Sequence, residues 1–180
     1  SIRRQRQMCI RDRPKTILGS YPYLEAFVKD FGNKPIVIKI LEGTHGQGVI
    51  LCENYKNALA TAQTLQSANV KFVMQEFMAE AQGTDIRAIV VDGQVVASIK
   101  RQSKDGEFRS NLHQGGSASA IELSNTEKQL AVATAKALDL QLCGVDILSS
   151  KRGPLVLEVN STPGLEGIET ATGLDVSGKI

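Results

Sequence analysis

Three oxygen-bearing side chains near the C-terminus have the types and spacing of a metal site. In the apolar segment "PLVLEVN", Glu158 and Asn160 share one face because side chains alternate along a strand. Another apolar segment, "CGVDIL", precedes it, and a hairpin centred on Arg152 pairs Asp146 with Glu158. Oxygen donors without Cys or His are typical of magnesium or manganese sites. The sequence therefore offers Asp146, Glu158 and Asn160 as metal ligands.

The same carboxylates have a second interpretation. Two carboxylates directly opposite each other on a sheet repel unless a cation lies between them. That cation is either a metal ion or a Lys or Arg side chain on a solvated face, and spacing alone leaves these two interpretations about even. Strand alternation further predicts that Leu155, Leu157 and Val159 face the core.

A lysine and a glycine-rich loop form a second candidate group. Lys39 lies in the middle of the strand "PIVIKIL", on the face opposite three isoleucines, where its ammonium group needs an anion. Gly43, Gly46 and Gly48 follow, and such glycines bring backbone N–H groups close to phosphate oxygens. The loop has neither a P-loop lysine motif nor a dinucleotide fingerprint. A lysine strand beside a glycine-rich hairpin loop is instead similar to the layout of protein kinases, without their catalytic motif.

A third group surrounds the polar segment "QSKDGEFRSNLHQGGS". Arg101, Lys104, Arg109 and Asn111 supply donors that suit a terminal phosphate or a substrate carboxylate, although an exposed loop has the same composition. Metal ligands, a phosphate-binding lysine, a glycine loop and further cations are together the parts that phosphoryl transfer needs.

Composition favours an ordinary globular chain. Of the 180 residues, 42% are hydrophobic, which excludes a disordered protein, and no apolar run approaches the roughly 20 residues of a membrane span. Three separated Cys and two isolated His match neither a disulfide framework nor a zinc site, so we expect a reducing, cytoplasmic location.

Charge is distributed unevenly along the chain. Residues 1–13 hold five Arg and one Asp, a local charge of +4, and the overall +2 leaves −2 for residues 14–180. A basic arm for nucleic acid is one interpretation of this stretch. We favour a non-native cloning remnant and exclude it from the fold prediction. The slightly acidic remainder has few aromatic residues, so no direct nucleic-acid binding is expected.

Short strands alternate with amphipathic helices in the remainder. In the first lobe, residues 14–75, the predicted elements are a helix from Ser20 to Gly32, strands 35–41 and 49–53, and a helix over 55–67 with Tyr55, Leu59, Ala62 and Leu65 on one face. In the second lobe, residues 76–180, they are strand 71–77 at its start, a hairpin over 86–101 that turns at Asp92-Gly93, a helix capped by Ser124 and Glu127, and strands 143–148 and 154–159.

Two further expectations follow from this order of elements. The helix after Ser124 is predicted to direct Leu130, Ala133, Ala137 and Leu138 inward. The fold class is α+β, with two lobes, mainly antiparallel sheets and a cleft for a ligand between the lobes.

Five segments resemble RimK-type ATP-grasp ligases in order and spacing: "IKILEGTHGQGV", "QEFMAEAQGTDIRAIVV", "SKDGEFRSNLHQGGSAS", "GVDIL" and "RGPLVLEVNSTPGLEGIE". The likeness extends over nearly all of residues 14–180 and is closest to the alpha-L-glutamate ligases that modify a small-subunit ribosomal protein. It implies the ATP-grasp fold, with two α+β lobes that clasp ATP. It also implies that an N-terminal domain of such enzymes is missing before Pro14.

The resemblance implies roles for individual residues. Lys39 and the loop from Gly43 to Gly48 hold the ATP phosphates, the backbone of Glu76 and Phe77 contacts adenine, and Asp85 binds the ribose. Arg109, Ser110 and Asn111 meet the terminal phosphate, with Arg109, Asn111 and Lys39 taking part in catalysis. Asp146, Glu158 and Asn160 carry two magnesium or manganese ions.

The implied reaction joins a carboxylate to an amine through an acyl phosphate, with ATP consumed. The implied partners are free glutamate and the C-terminus of a ribosomal protein, with no membrane, and the resemblance also admits a homo-oligomer. Two alternatives stay open. One is a ligase of the same fold that acts on a carrier protein, a coenzyme or a small peptide, and the other is a nucleotide-binding module without turnover.

Overall fold

A computed structural model describes residues 13–19, 24–42, 48–104, 108 and 115–180. The chain divides into two units, one of residues 14–77 and one that contains residues 78–180. The predicted lobe boundary between residues 75 and 76 lies near this division and stays a prediction. Making the strand over 71–77 the start of the second lobe was wrong, because this strand pairs within the sheet of the first unit. The helix start expected at Ser20 and the first twelve residues of the basic stretch lie outside the described residues.

The first unit is a sheet with two helices on one face. Its described strands are all antiparallel and run in the order β1-β4-β2-β3. The elements are β1 (Thr16–Leu18), α1 (Leu24–Asp30), β2 (Ile36–Ile40), β3 (Val49–Cys52), α2 (Tyr55–Ser67) and β4 (Phe72–Glu76).

Apolar periodicity explains why both helices pack on the same side of this sheet. Asn54 caps α2 by accepting a hydrogen bond from the backbone N–H of Asn57 (3.0 Å), and the helix buries Ala58 and Ala62. The predicted range and inward face of α2 are confirmed. The core of this unit comprises Leu24, Val28, Phe31, Ile36, Ile38, Cys52, Ala58, Ala62, Phe72 and Met74.

The second unit has a sheet with a helix on each face. Among the described residues its strands run in the order β7-β6-β5-β8-β9, again all antiparallel, as predicted. The elements are β5 (Thr84–Val91), β6 (Gln94–Gln102), β7 (Ser117–Ala120), α3 (Asn125–Ala137), β8 (Leu142–Leu148), β9 (Leu155–Asn160) and α4 (Glu166–Thr172), with short 3₁₀ helices at Ala79–Ala81 and Ser177–Lys179.

Two local sequence patterns correctly predicted a hairpin turn and the start of a helix in this unit. Asp92 and Gly93 have φ of 45° and 74° between β5 and β6, which is the backbone of the tight hairpin turn that Asp-Gly favours. Ser124 accepts from the N–H of Glu127 while the Glu127 carboxylate accepts from the N–H of Ser124, so the predicted capping box starts α3.

The two faces of this sheet bury different sets of residues. The first set packs under α3 and comprises Ile86, Ala88, Val90, Leu123, Ala131, Ala135, Cys143, Val145 and Ile147. The second packs under α4 and comprises Ile89, Val91, Ala97, Ile99, Ile168 and Val176. The face under α4 also carries the charged residues described below.

The predicted inward face of α3 is confirmed only at Leu130, which packs against the core of this unit. Ala131 and Ala135 are fully buried, whereas Ala133 and Ala137 are exposed and Leu138 is 54% exposed. The segment "LAVATAKAL" has apolar residues at nearly every position, so its periodicity does not define the phase of the helix.

The predicted core face of β9 is confirmed in part: Leu155 is fully buried and Val159 packs against the core, whereas Leu157 is only half-buried. Asp146 pairs with Glu158, but the next pair is Ile147 with Val156, so Leu157 is a bulged residue without a cross-strand partner. Val156 and Val159 consequently pack toward α3, whereas Leu155 joins a separate apolar cluster with Met78 and Ala81. An inserted residue reverses which side chains face each side of the sheet, and nothing in the local sequence predicts such an insertion.

None of the helices in the described part of the chain combines the length and the apolar character that crossing a membrane requires.

Candidate functional site

The opposed carboxylates predicted from the sequence are neighbours in the structure. Asp146 on β8 is the register partner of Glu158 on β9, as the hairpin predicted. On its other side Asp146 is the register partner of Arg87 on β5. Arg87, Asp146 and Glu158 therefore form one row across three adjacent strands, on the face that α4 partly covers.

Arg87 is the cation nearest to both carboxylates among the described residues. Its Nε donates to Oδ1 of Asp146 (2.7 Å) and its Nη2 donates to Oδ2 (2.6 Å), which is the two-bond geometry that an arginine makes with a carboxylate. Nη2 also lies 4.0 Å from Oε1 of Glu158. For Asp146, the structure thus shows the arginine-paired arrangement that the sequence left open as one of two.

A second arginine extends this cluster to Asp85. Arg101 donates from Nε and Nη2 to the two oxygens of Asp85 (2.6 Å each), and its Nη2 also donates to Oδ2 of Asp146 (2.8 Å). Within the described residues, no fully buried side-chain nitrogen or oxygen lacks a hydrogen-bond partner. We call Asp85, Arg87, Arg101 and Asp146 the ionic cluster.

Burial and neighbouring charges shift the pKa values of Asp146 and Arg101 in opposite directions. Burial would raise the pKa of Asp146, but the hydrogen bonds and charges of Arg87 and Arg101 hold that pKa below its ordinary value. Burial would likewise lower the pKa of Arg101, and the hydrogen bond with Asp85 and the charges of both aspartates raise it instead. Asp146 and Arg101 are therefore both charged near neutral pH.

Glu158 and Asn160 form the accessible edge of the same row. The side chain of Glu158 is 51% exposed, against 1% for Asp146. Asn160 donates from Nδ2 to Oε1 of Glu158 (3.4 Å). Pro163 packs against Gly144, the register partner of Asn160, so the turn after β9 folds back over the sheet.

This donor set fits a hard divalent cation. Asp146, Glu158 and Asn160 present carboxylate and amide oxygens on two adjacent strands, and magnesium completes such partial sets with water and phosphate. Among the described residues, no three His, Cys, Asp or Glu side chains converge as a metal site, and the set here has two carboxylates and one amide. The assignment of these three residues as ligands stays a prediction.

Lys39 lies on the face of the first sheet that the helices do not cover. It pairs with Val49 and Val73, while its neighbour Ile38 is buried under the helices, as strand alternation predicted. Gly48 ends the following turn with a φ of +79°, and a Cβ there would lie 3.0 Å from the Cβ of Ile40. Gly43 and Gly46 lie outside the described residues.

The predicted adenine contact concerns the end of β4. The N–H of Glu76 donates to the carbonyl of Lys15 (2.8 Å), and the N–H of Phe77 donates to the carbonyl of Pro35 (3.4 Å). Both amides therefore already have backbone partners within the first unit. The role of Glu76 and Phe77 toward adenine stays a prediction.

The remaining predicted ligands fall into three groups. Arg109, Ser110 and Asn111 lie outside the described residues, and Lys104 is exposed. Placing Arg101 in this polar loop was wrong, because it lies in β6 and its side chain is buried in the ionic cluster. Asp85, predicted to bind ribose, is held by Arg101, so a hydroxyl would have to share or displace one of those hydrogen bonds.

The profile of the RimK-like ATP-grasp domain matches residues 4–180. The chain belongs to this family. The match begins inside the basic stretch at the N-terminus. It confirms the resemblance seen in the five sequence segments.

Two curated relatives of the family are both named "Probable alpha-L-glutamate ligase". The protein of Vibrio parahaemolyticus is 52% identical over 93% of this chain and 56% of its own length. That of Halorhodospira halophila is 57% identical over 83% of this chain and 49% of its own length. The chain thus spans about half the length of the curated relatives it matches.

Solved structures confirm the predicted fold class. The ATP-grasp ligase PsnB, solved with a phosphomimetic variant of its minimal precursor, Mg and ADP, superposes with a TM-score of 0.70 at 24% identity, over 93% of this chain and 51% of that chain. The chain has the α+β ATP-grasp fold.

Sequence reasoning missed Arg87 as a member of this site. The residue stands in "DIRAIVV", two positions after Asp85 and hence on the same strand face. A polar residue repeated at this spacing inside an otherwise apolar strand was the available signal, since a charge there needs a partner.

Proposed function

We propose that the chain is the nucleotide-binding part of an ATP-dependent alpha-L-glutamate ligase. The observation that carries this proposal is the identity of 52% over 93% of the chain with a relative named as such a ligase. The row of opposed carboxylates on β8 and β9 supports it, because a phosphoryl-transfer site needs hard oxygen ligands beside its phosphates.

The proposed reaction has two steps. A substrate carboxylate attacks the terminal phosphorus of ATP and releases ADP, which turns a poor acyl electrophile into an acyl phosphate. The amine of glutamate then attacks the carbonyl carbon, phosphate leaves, and the amine loses a proton as the amide forms. The protein's part is mainly positioning and charge neutralisation.

In this proposal, the first unit binds phosphate and base. Lys39 holds the ATP phosphates from the uncovered face of its sheet, and the loop that contains Gly43, Gly46 and Gly48 covers them. The positive φ at Gly48 supports a tight return of this loop into β3. Glu76 and Phe77 contact adenine through their backbone.

The second unit supplies the other groups. Asp85 binds the ribose, and Arg109, Ser110 and Asn111 bind the terminal phosphate, with Arg109, Asn111 and Lys39 acting in catalysis. Asp146, Glu158 and Asn160 hold magnesium or manganese, as two ions, which neutralise phosphate charge when bound. The solved PsnB complex contains Mg and ADP, in agreement with this cofactor class.

The finer parts of the proposal concern the acceptor. We propose that the acceptor is the C-terminus of a small-subunit ribosomal protein in the cytoplasm, and that the enzyme is a homo-oligomer. The PsnB structure contains a precursor variant, so an ATP-grasp ligase does engage a precursor as its partner.

Nucleotide binding is tested by thermal denaturation of the full-length protein. We expect ATP with magnesium to raise the melting temperature, and Glu158→Ala and Lys39→Ala each to reduce this rise. Glu122→Ala and Lys71→Ala are matched controls, because both residues are exposed and lie outside the proposed site. Absence of any ATP-dependent rise in the unmutated protein would overturn the site.

The acceptor is tested with radiolabelled amino acids. We expect the full-length protein to incorporate glutamate into a protein C-terminus and to release one ADP per residue added. Incorporation of lysine in place of glutamate would contradict this proposal and favour a ligase of the same fold with another acceptor.

A further inference from the structure

The two arginines of the ionic cluster differ in the number of their bonding partners and in their burial. Arg101 contacts both Asp85 and Asp146 and its side chain is only 6% exposed. Among the described residues, Arg87 donates side-chain hydrogen bonds to Asp146 alone, and its side chain is 20% exposed. Of the two, Arg87 is therefore the one that can leave Asp146 at the smaller cost.

The charge balance of the site gives a second reason why Arg87 would leave Asp146 when a metal ion binds. The four members of the ionic cluster sum to zero, and Glu158 adds one negative charge at its accessible edge. A divalent cation bound to Asp146 and Glu158 would neutralise those two carboxylates by itself. The guanidinium of Arg87 would then be an additional positive charge within hydrogen-bonding distance of a metal ligand, and like charges at such separations repel strongly where water is excluded.

We propose that Arg87 is a positioning residue that acts as the counter-cation of Asp146 in the metal-free protein and competes with the divalent cation for that carboxylate. This inference rests on the proposed metal site. Arg87 holds the buried Asp146 carboxylate in place by two hydrogen bonds while no metal is bound, and it lowers the affinity of the site for metal without nucleotide. ATP phosphates supply further negative charge, which offsets the repulsion and couples metal binding to nucleotide binding.

The test measures binding of Mn²⁺ alone to the full-length protein by electron paramagnetic resonance of the free ion. We expect Arg87→Gln to tighten Mn²⁺ binding by about fivefold or more, which is the lower end of ordinary coupling between sites. Arg87→Lys, which retains the charge, should restore an affinity close to that of the unmutated protein. A residue with a merely structural role would instead weaken the site when it is removed.

Lys100→Gln is the matched control. Lys100 is exposed, precedes Arg101 on β6 and lies on the opposite face of the sheet, so its removal changes the net charge equally. It should leave the Mn²⁺ affinity unchanged. An equal effect of Lys100→Gln and Arg87→Gln, or an unchanged or weaker affinity in Arg87→Gln, would overturn the inference.

A second measurement is made on the unmutated protein, and a variant serves only to assign the resonance. In protein labelled with ¹⁵N arginine, the Nε–H resonance of Arg87, assigned by its loss in Arg87→Lys, should shift and exchange faster with water when Mg²⁺ is added. A resonance that does not respond to saturating Mg²⁺ would contradict competition for Asp146.

Failure of this inference is distinguishable from failure of the metal site itself. If Glu158→Gln weakens Mn²⁺ binding while Arg87→Gln does not tighten it, the site stands and the competition is wrong. If the unmutated protein binds no Mn²⁺ with or without ATP, the metal part of the proposed function fails as well.

Discussion

Asp146 and Glu158 are opposed carboxylates in one row of a sheet, yet their surroundings differ completely. Asp146 is buried and accepts hydrogen bonds from Arg87 and Arg101, whereas the Glu158 side chain is half exposed. The difference arises because Asp146 lies on an inner strand and Glu158 on an edge strand. The same functional group is thus held by two arginines at one position and exposed to solvent at the other.

The largest expected effect comes from removing the shared cation on the buried side. Arg101→Gln removes the guanidinium that bonds both Asp85 and Asp146, and breaking a buried ion pair in this way costs about 3–5 kcal/mol of the free energy of unfolding. Urea denaturation of the full-length protein measures this loss. Lys100→Gln on the same strand should change stability by no more than about 0.5 kcal/mol. Equal losses in the two variants would show that the ionic cluster is not a stabilising unit.

A smaller loss is expected when the buried carboxylate itself is neutralised. Asp146→Asn weakens the hydrogen bonds from Arg87 and Arg101, which for charged partners amounts to about 2–3 kcal/mol. The change also alters the pH dependence. Since the folded-state pKa of Asp146 lies below its unfolded value, its contribution is complete above about pH 4 and is lost as the pH falls through the folded pKa.

The pH dependence is measured by denaturation between pH 7 and pH 2. The unmutated protein should lose stability more steeply below about pH 4 than Asp146→Asn does, because only the former takes up a proton at this site. Parallel curves in this range would contradict a depressed pKa for Asp146.

A moderate effect is expected where the turn after Asn160 packs on the sheet. Gly144→Ala places a Cβ 3.0 Å from the Cβ of Pro163, and such overpacking costs about 1–2 kcal/mol. Because Gly144 is the register partner of Asn160, we also expect weaker stabilisation by ATP with magnesium. Gly144 does not have the positive φ at which an alanine is strained, so a loss of stability in this variant reports on the contact with Pro163. Unchanged stability in Gly144→Ala would show that the turn adapts freely.

The smallest effect on stability is expected at the exposed member of the pair. Glu158→Gln should cost about 0.5 kcal/mol or less, since exposed ion pairs contribute little. The same variant should lose most of the stabilisation by ATP with magnesium, which differential scanning fluorimetry detects. A large loss of intrinsic stability would mean that Glu158 belongs to the ionic cluster and is not a ligand-facing group.

Local signals of the sequence predicted most elements of the fold. Helix α2, the Asp92-Gly93 turn, the capping box at Ser124 and the pairing of Asp146 with Glu158 all depend on residues close together in the chain. Several short elements were not predicted, among them β1, β7, α4 and the 3₁₀ helix at Ala79–Ala81. Each has at most seven residues, too few for a clear hydrophobic period.

The sequence by itself determined that two carboxylates would face each other beside an amide, because alternation and a hairpin suffice for that. Only the tertiary structure placed an arginine beside them. Arg87 is 59 positions from Asp146 in the chain, and the two meet because β5 is the inner neighbour of β8. Strand order is a property of the whole sheet, since it depends on which apolar faces pack together, and no short segment encodes it.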